Sequence, residues 1–389
     1  MSLIEEARDI VRRHYGQAIG RPVETVPTPA LVLDLPAARR NIERMANGMA
    51  SLSASLRPHV KGHKSPDLAL LQAQAGARGF STATVWEAAV LVEAGLDDLF
   101  VVNTVASPVK IGILADLARE RRILVAVDDL ANATNLSRAA VKSGSVIGVL
   151  IEIDTGMRRA GLDDSASAAE LSRQLGALPG LRFEGVTGYE GHCSLEDDVE
   201  VRAIKQRVAM DTLLTAVASI EAVGVSCPIV SAGGTRTWWL TAATPGITEI
   251  QAGTYVLMDR FHSGVEGGFE PALRVLTTVI SRAPDRVIVD AGSKSAADPD
   301  LVAIAGHDLA NLGFDEEHGR FAAPDGGTLS IGEVVELLPG YAPSTVNMYD
   351  AYHVIEDGTV LDIWPIVPRG PGHHGLATRS EMMERTRGR

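Results

Sequence analysis

The sequence predicts an α/β protein, a (β/α)8 TIM barrel followed by an all-β domain. Three observations predict it. From Pro29 to about Gly253, short apolar runs alternate with longer amphipathic, Ala-rich segments. Eight such units in about 220 residues is the usual size of a parallel α/β barrel. From about Glu266 the rhythm changes to short β-rich runs punctuated by Gly and Pro. A doubly wound open sheet is the competing arrangement for the first part, since periodicity alone cannot close a barrel.

In order, Ala30–Asp34 reads as a strand and Pro36–Met49 as a helix. Ser55–Val60 leads to a helix from Pro66, Gly79–Thr82 to Val85–Ala94, and Leu99–Val102 to Pro108–Arg119. Ile123–Val127 leads to Leu130–Lys142, Val146–Ile153 to Ala166–Leu175, and Phe183–Tyr189 to the long helix Val199–Ala222. Pro228–Ser231 is the eighth run, followed by Ile247–Gln251. Asp163-Asp164 and Asp197-Asp198 sit where helix starts need an acceptor for unpaired N–H groups. In the second part, Ala272–Ile280, Arg286–Asp290, Gly327–Ile331, Val334–Leu338, Thr345–Met348, His353–Glu356 and Thr359–Val367 read as strands. Asp357-Gly358 supplies a hairpin turn. An N-terminal helix, Ser2 to about Tyr15, is expected to pack on this β domain. The division is therefore a barrel over residues 29–265, and a β domain over 1–28 plus 266–389.

Composition narrows the function. Lys plus Arg number 36 and Asp plus Glu 49, a formal charge of 36 − 49 = −13. Nucleic acid and anionic membrane need a basic footprint, so neither is expected as a partner. Two cysteines, Cys193 and Cys227, make no disulfide framework and suit a reducing cytoplasm. The first fifteen residues are charged throughout, unlike a signal peptide, and no run has the length of a membrane span. A cytoplasmic protein is the expectation.

Catalytic groups of a parallel barrel lie at the C-terminal ends of its strands. Unusual polar clusters fall there: Arg57-Pro58-His59-Val60-Lys61-Gly62-His63-Lys64, Glu152-Ile153-Asp154-Thr155-Gly156-Met157-Arg158-Arg159-Ala160-Gly161, Gly188-Tyr189-Glu190-Gly191-His192, Ser231-Ala232-Gly233-Gly234-Thr235 and Gln251-Ala252-Gly253-Thr254-Tyr255. Any one alone reads as a solvated loop or a turn. Together they suggest a mouth with one reactive lysine and two Gly-rich turns whose N–H groups could hold a phosphate. A lysine beside a phosphate cradle suggests a Schiff base to a phosphorylated aldehyde, of which pyridoxal phosphate is the common one.

These motifs, with Asp290-Ala291-Gly292-x-Lys294, resemble those of the fold-type III pyridoxal-phosphate enzymes, the alanine racemase-like barrel group. Within that group the chain is most similar to the D-threonine aldolase and D-serine dehydratase family, from Thr28-Pro29-Ala30 to Trp364-Pro365. The resemblance implies pyridoxal 5′-phosphate joined as an imine to Lys61. It implies Tyr189 against the ring and Arg159 at its phenolic edge. Gly233, Gly234, Thr235, Gly253, Thr254 and Tyr255 would hold the phosphate. It also implies a head-to-tail homodimer and a small amino acid as substrate.

The chain departs from the family at one place. The family's aldolases and dehydratases carry a metal-binding His-x-Asp or His-x-Cys before a Pro-Thr-Val-Asn-like stretch. Here the segment reads Tyr341-Ala342-Pro343-Ser344-Thr345-Val346-Asn347. Proline offers no side-chain donor, so no metal is expected at that place. His59, His192, His353 and Tyr341 are the replacement groups near the mouth. His353 reads more readily as a surface residue of a β strand, His373-His374 as part of a flexible tail, and Trp238-Trp239 as buried packing.

The leading expectation is a lyase that cleaves D-3-hydroxy amino acids by retro-aldol chemistry. Lys61 would carry the cofactor, and His59 or His192 would take the hydroxyl proton. Alternatives are racemisation with Tyr341 as second base, β-elimination to a 2-oxo acid, and a non-catalytic pyridoxal-phosphate carrier.

Overall fold

A computed structural model describes residues 2–323 and 329–370. The chain divides into two compact units. One is drawn from residues 2–44, 62–68 and 254–370, the other from 45–61 and 69–253. The tail with His373-His374 lies outside the described residues, as do positions 327 and 328 of the strand expected at Gly327–Ile331. Positions 329–331 are loop and turn.

The second unit is the barrel. Its strands are β2 (Ser55–Leu56), β3 (Phe80–Thr82), β4 (Leu99–Val101), β5 (Ile123–Val127), β6 (Ile147–Ile153), β7 (Leu181–Gly188), β8 (Ile229–Ala232) and β9 (Glu249–Ile250). All neighbours pair in parallel, in the order β2-β9-β8-β7-β6-β5-β4-β3. The sheet curls until its edges meet. Arg78 N–H donates to the Leu56 carbonyl and Ser81 N–H to that of Pro58, and His59 bridges Ser81 in parallel. That closure decides against the open doubly wound sheet.

Phe100, Leu124, Ala126 and Leu150, with Val102 and Ile229, form one cluster. They come from β4, β5, β6 and β8, or just beyond β4, so they meet across the barrel interior. Side chains alternate along a strand, so Glu152, two residues beyond Leu150, shares that face one layer nearer the C-terminal mouth. The opposite end is closed by charge. The Arg57 guanidinium, about 1 % exposed, binds Glu249 through two hydrogen bonds of 2.9 and 2.7 Å, and also binds Asp98. Arg122 pairs Asp98 with Glu184. Glu249, Asp98 and Arg122 stand at the N-terminal ends of β9, β4 and β5. Arg57 is therefore remote from the chemistry its motif suggests. Gly79, at φ +82°, makes room for it: a Cβ there would come within 2.4 Å of Arg57 Nη1.

Helices follow the strands: α4 (Val85–Glu93), α5 (Pro108–Leu117), α6 (Leu130–Ser143), α7 (Ser165–Leu175), α8 (Val199–Ala222) and α9 (Trp238–Ala242). Asp164 and Asp198 cap α7 and α8 as their positions predict, accepting from Ser167 N–H and from Glu200 and Val201 N–H. Trp238 is buried as expected, 6.4 Å from the ring of Trp239.

The other unit carries a nine-stranded sheet. Its core order is β13-β14-β11-β10-β1-β16-β17, and β15 pairs with β10 and β12. Here β1 is Ala30–Asp34, β10 Leu273–Ala283, β11 Arg286–Val289, β12 Ala303–Ile304, β13 Asn311–Phe314, β14 Gly319–Ala322, β15 Val334–Leu338, β16 Ala351–Glu356 and β17 Thr359–Pro365. Two sequence expectations are corrected. Ala30–Asp34 is not the first barrel strand but pairs antiparallel with β10 and parallel with β16. Its apolar run is buried on both faces, a pattern shared by barrel strands and central sheet strands. Thr345–Met348 is not a strand, because Ala342–Val346 forms a short helix, α10, with Pro343 in its first turn. The Asp357-Gly358 turn is as predicted, both residues at positive φ, 47° and 73°, joining β16 to β17. Helix α1 (Leu3–Tyr15), opened by a Ser2–Glu5 capping box, packs Val11 against Val360 and Ile363 of β17. Helices α2 (Leu35–Met49) and α3 (Pro66–Gln74) run across the limits of the two units.

Candidate active site

The barrel mouth gathers three of the predicted groups around one ring. Tyr189 follows β7, and its ring is held edge-on by backbone. A Cβ at Gly191 would come within 2.4 Å of its Cε1, so only glycine fits there. Lys61 Nζ lies 5.6 Å from the centre of this ring, and the Arg159 guanidinium lies 5.6 Å from the same centre. Burial pushes the Lys61 amine below its ordinary pKa, and the charge of Arg159 pushes the same way, while Glu87 opposes both. A lysine so placed has a larger neutral, nucleophilic fraction at neutral pH.

Two histidines flank it with different roles. The Lys61 N–H donates to Nδ1 of His59 at 3.3 Å. A neutral His59 therefore carries its proton on Nε2 and can donate but not accept there. His59 also lies against the Gly253 segment, where a Cβ would come within 2.2 Å of the His59 carbonyl oxygen. His192, half-buried, packs on Gly156 and sets Nε2 3.6 Å from Cys193 Sγ. Its Nδ1 is buried and has no hydrogen-bond partner among the described residues.

Two carboxylates complete the mouth, and no role for either follows from the sequence. Glu152 pairs with Arg159 at 3.6 Å, and burial raises its pKa despite that partner. Glu190, fully buried, accepts from the Gly233 N–H (3.1 Å) and from the hydroxyls of Thr237 (2.7 Å) and Thr241 (2.8 Å). The only signal for them was a carboxylate inside an otherwise apolar strand or motif. Gln251 bridges the hydroxyls of Thr187 and Ser231 at 3.1 and 3.0 Å, a polar floor beneath the mouth.

The predicted phosphate cradle is partly engaged within the chain. The Gly233 N–H goes to Glu190 and the Gly234 N–H to the Thr237 hydroxyl at 3.1 Å, so these two glycines shape the turn that presents buried Thr235. Thr254 and Tyr255 belong to the other unit. There Tyr255 is fully buried, its ring 5.7 Å from Phe269. Tyr341 also belongs to that unit, stacked on His262 at 6.0 Å and edge-on to Phe261. Asp259 anchors this group, accepting from His262 Nδ1 at 2.7 Å and from the Ala342 N–H at 2.7 Å. His353 lies on β16 as expected but is buried rather than on the surface.

A suppressed lysine amine over an aromatic ring, a guanidinium at that ring and an unpartnered buried imidazole nitrogen fit a flat, electron-withdrawing aldehyde bound through Lys61. Comparison with known proteins gives the family. The family model "Alanine racemase, N-terminal domain" matches residues 33–260, and a serine dehydratase domain model matches 272–355. The chain belongs to the alanine racemase-like family. It is 38 % identical to a D-threonine aldolase of Arthrobacter sp over 90 % of this chain and 95 % of that one. It is 34 % identical to a 3-hydroxy-D-aspartate aldolase of Paracoccus denitrificans over 91 % and 95 %. A crystal structure of D-threonine aldolase from Filomicrobium marinum superposes with a TM-score of 0.87, at 33 % identity over 90 % and 98 % of the two chains. This family member is an enzyme, a lyase. No helix among the described residues is long and apolar enough to cross a membrane.

Proposed function

We propose that the protein binds pyridoxal 5′-phosphate through Lys61 and cleaves the Cα–Cβ bond of D-3-hydroxy amino acids, releasing an aldehyde. One observation carries this reading: the suppressed Lys61 amine set over Tyr189 and beside Arg159. The names of two relatives, a D-threonine aldolase and a 3-hydroxy-D-aspartate aldolase, support the substrate class. When bound, the cofactor supplies an electron sink for the pair left at Cα.

The chain's own groups do the rest. Lys61 offers an amine at the mouth whose pKa burial lowers, enlarging its neutral fraction. Arg159, paired with Glu152, keeps a positive charge beside that amine. Tyr189, clamped at Gly191, gives a rigid flat face. His192 is the better general base for the substrate hydroxyl, since its Nδ1 has no partner. His59 is suited to donate from Nε2. Thr235, with the turn that Glu190 holds, and the Gly253-Thr254-Tyr255 segment would hold the anionic tail.

We further propose that no metal is used at the family's usual place, because Pro343 has no donor and the Tyr341 ring is packed on His262. Racemisation is the weaker reading. It needs Tyr341 as a base, whereas burial, with Asp259 and Asp298, raises the pKa of that hydroxyl and keeps it protonated. A cytoplasmic homodimer is the expected state.

The test is incubation of the cofactor-loaded protein with D-threonine and other D-3-hydroxy amino acids, with and without chelator. Aldehyde and glycine formed from D-threonine, undiminished by chelator, are expected. Absence of aldehyde from every D-3-hydroxy amino acid would overturn the reaction, and loss on chelation would overturn the metal-free reading.

A further inference from the structure

The sheet unit contains a cavity that the chemistry above does not use. It encloses about 220 Å³. Apolar cavities of roughly 150 Å³ are large enough to take up benzene. Its walls come from the end of α1 (His14, Tyr15), from the segment entering β1 (Pro27, Leu31) and from the start of β16 (Tyr349, His353).

One buried polar group faces this space. His353 is about 6 % exposed. Its Nδ1 lies 3.3 Å from the Leu31 carbonyl, which can only accept, so Nδ1 carries the proton. Nε2 then bears the lone pair, and among the described residues no other hydrogen bond engages the ring. Tyr15 packs its ring against the imidazole at 5.6 Å and 74°, holding the orientation. Burial lowers the His353 pKa, so the ring stays neutral and remains an acceptor.

Of the other polar residues of the lining, His14 and Gln17 are exposed, and Tyr349 and Asp350 are engaged elsewhere. Tyr349 donates its hydroxyl to the Ser295 carbonyl at 2.9 Å. Asp350, at the entrance, is paired with Arg369 and accepts from the Tyr15 hydroxyl at 3.4 Å. No carboxylate of the lining is left to neutralise a cation, and a charged head would meet only a neutral imidazole at the floor. The walls offer aromatic and aliphatic surface, and His353 supplies a buried acceptor, while the polar ends of His14 and Gln17 are exposed. That combination selects a neutral, mostly apolar molecule with one hydrogen-bond donor.

We propose that this cavity is a binding site for a small aromatic alcohol of the phenol type, its hydroxyl donating to Nε2 of His353 and its ring packed against Tyr15 and Leu31. A hydrogen bond to a buried acceptor discriminates strongly against the same shape without the donor, because that acceptor is then left unpaired.

The experiment is a pair of ligand-observed NMR titrations of the full chain, one with phenol and one with toluene. Phenol is expected to bind one site per chain at least about tenfold more tightly than toluene, a difference of about 1.4 kcal/mol. His353→Phe is expected to remove that preference, and Ala18→Leu, which narrows the cavity from the turn after α1, to weaken both ligands. Circular dichroism melting verifies that each variant is folded. Equal affinity for phenol and toluene, no phenol binding, or an unchanged preference in folded His353→Phe would each overturn the proposal.

Discussion

The residues at the mouth divide the work by their protonation. Lys61 is suppressed mainly by burial and secondarily by Arg159. A lysine with a depressed pKa is the neutral nucleophile over a wider pH range. Replacing Arg159 by Met removes the nearby positive charge, so the Lys61 pKa rises and the onset of its reactivity moves to higher pH. Labelling Lys61 in the cofactor-free protein with trinitrobenzenesulfonate across pH 6–10 measures that onset; an onset that stays put or falls would show that Arg159 does not act on the amine. The two histidines differ in the same way. His59 is committed at Nδ1 to a backbone N–H, while His192 has an unpartnered buried Nδ1. His192→Asn should lower kcat for aldehyde release by roughly 10²–10⁴, the usual contribution of a general base. His59→Asn, which keeps a side-chain acceptor and an N–H donor, should cost far less.

At the scale of single elements, the turn after β8 depends on Glu190. Its two oxygens satisfy one backbone N–H and two hydroxyls in a buried place. Glu190→Ala leaves three donors unpaired and should destabilise the protein by about 2–4 kcal/mol, read as a shift in urea midpoint. Glu190→Gln, of the same shape, should recover part of that and keep cofactor affinity above that of Glu190→Ala. The closed end of the barrel depends on Arg57 in a similar way. Arg57→Met strands the buried Glu249 carboxylate, leaves Asp98 with Arg122 alone, and should cost about 3–5 kcal/mol.

These elements also mark how far the sequence could be read. Strand-helix alternation located the barrel, because each unit must bury one apolar face. It could not show that Ala30–Asp34 joins the other sheet, since burial on both faces gives the same apolar run in either place. Strand β12 is only two residues long, and the glycine-containing strands β13 and β14 carried no alternation strong enough to find. Thr345–Met348 looked like a strand from its β-branched residues, yet Pro343 in the first turn favours a helical turn. The mouth was legible as motifs, because glycines and a lysine at strand ends are unusual. The roles of Glu152 and Glu190 were not, since each depends on what surrounds a carboxylate after folding. Arg57 was misplaced for the same reason: a motif shows neighbours in sequence, whereas its side chain turns to the other end of the barrel.

At the scale of the whole molecule, stability should respond to pH through buried groups. Burial lowers the His353 pKa in the folded state below its ordinary value of 6.5. The unfolded chain therefore binds the proton first, so the stability this group contributes is present above pH 6.5 and lost as pH falls through the folded pKa. Urea midpoints at pH 7.5 and 5.5 should fall further for the wild type than for His353→Phe; equal falls would show that His353 does not couple to folding. Glu152 acts oppositely. Its raised pKa means the folded state binds a proton more readily, so its burial penalty is relieved on acidification and partly masks the loss from His353.

The account turns on which side chain holds the cofactor. The most direct measurement is borohydride reduction of the protein after loading with pyridoxal 5′-phosphate, followed by digestion and mass mapping. A single pyridoxyl label on Lys61, absent in a folded Lys61→Ala variant, is the predicted result. A label on another lysine, or none in protein that otherwise retains its fold, would contradict it.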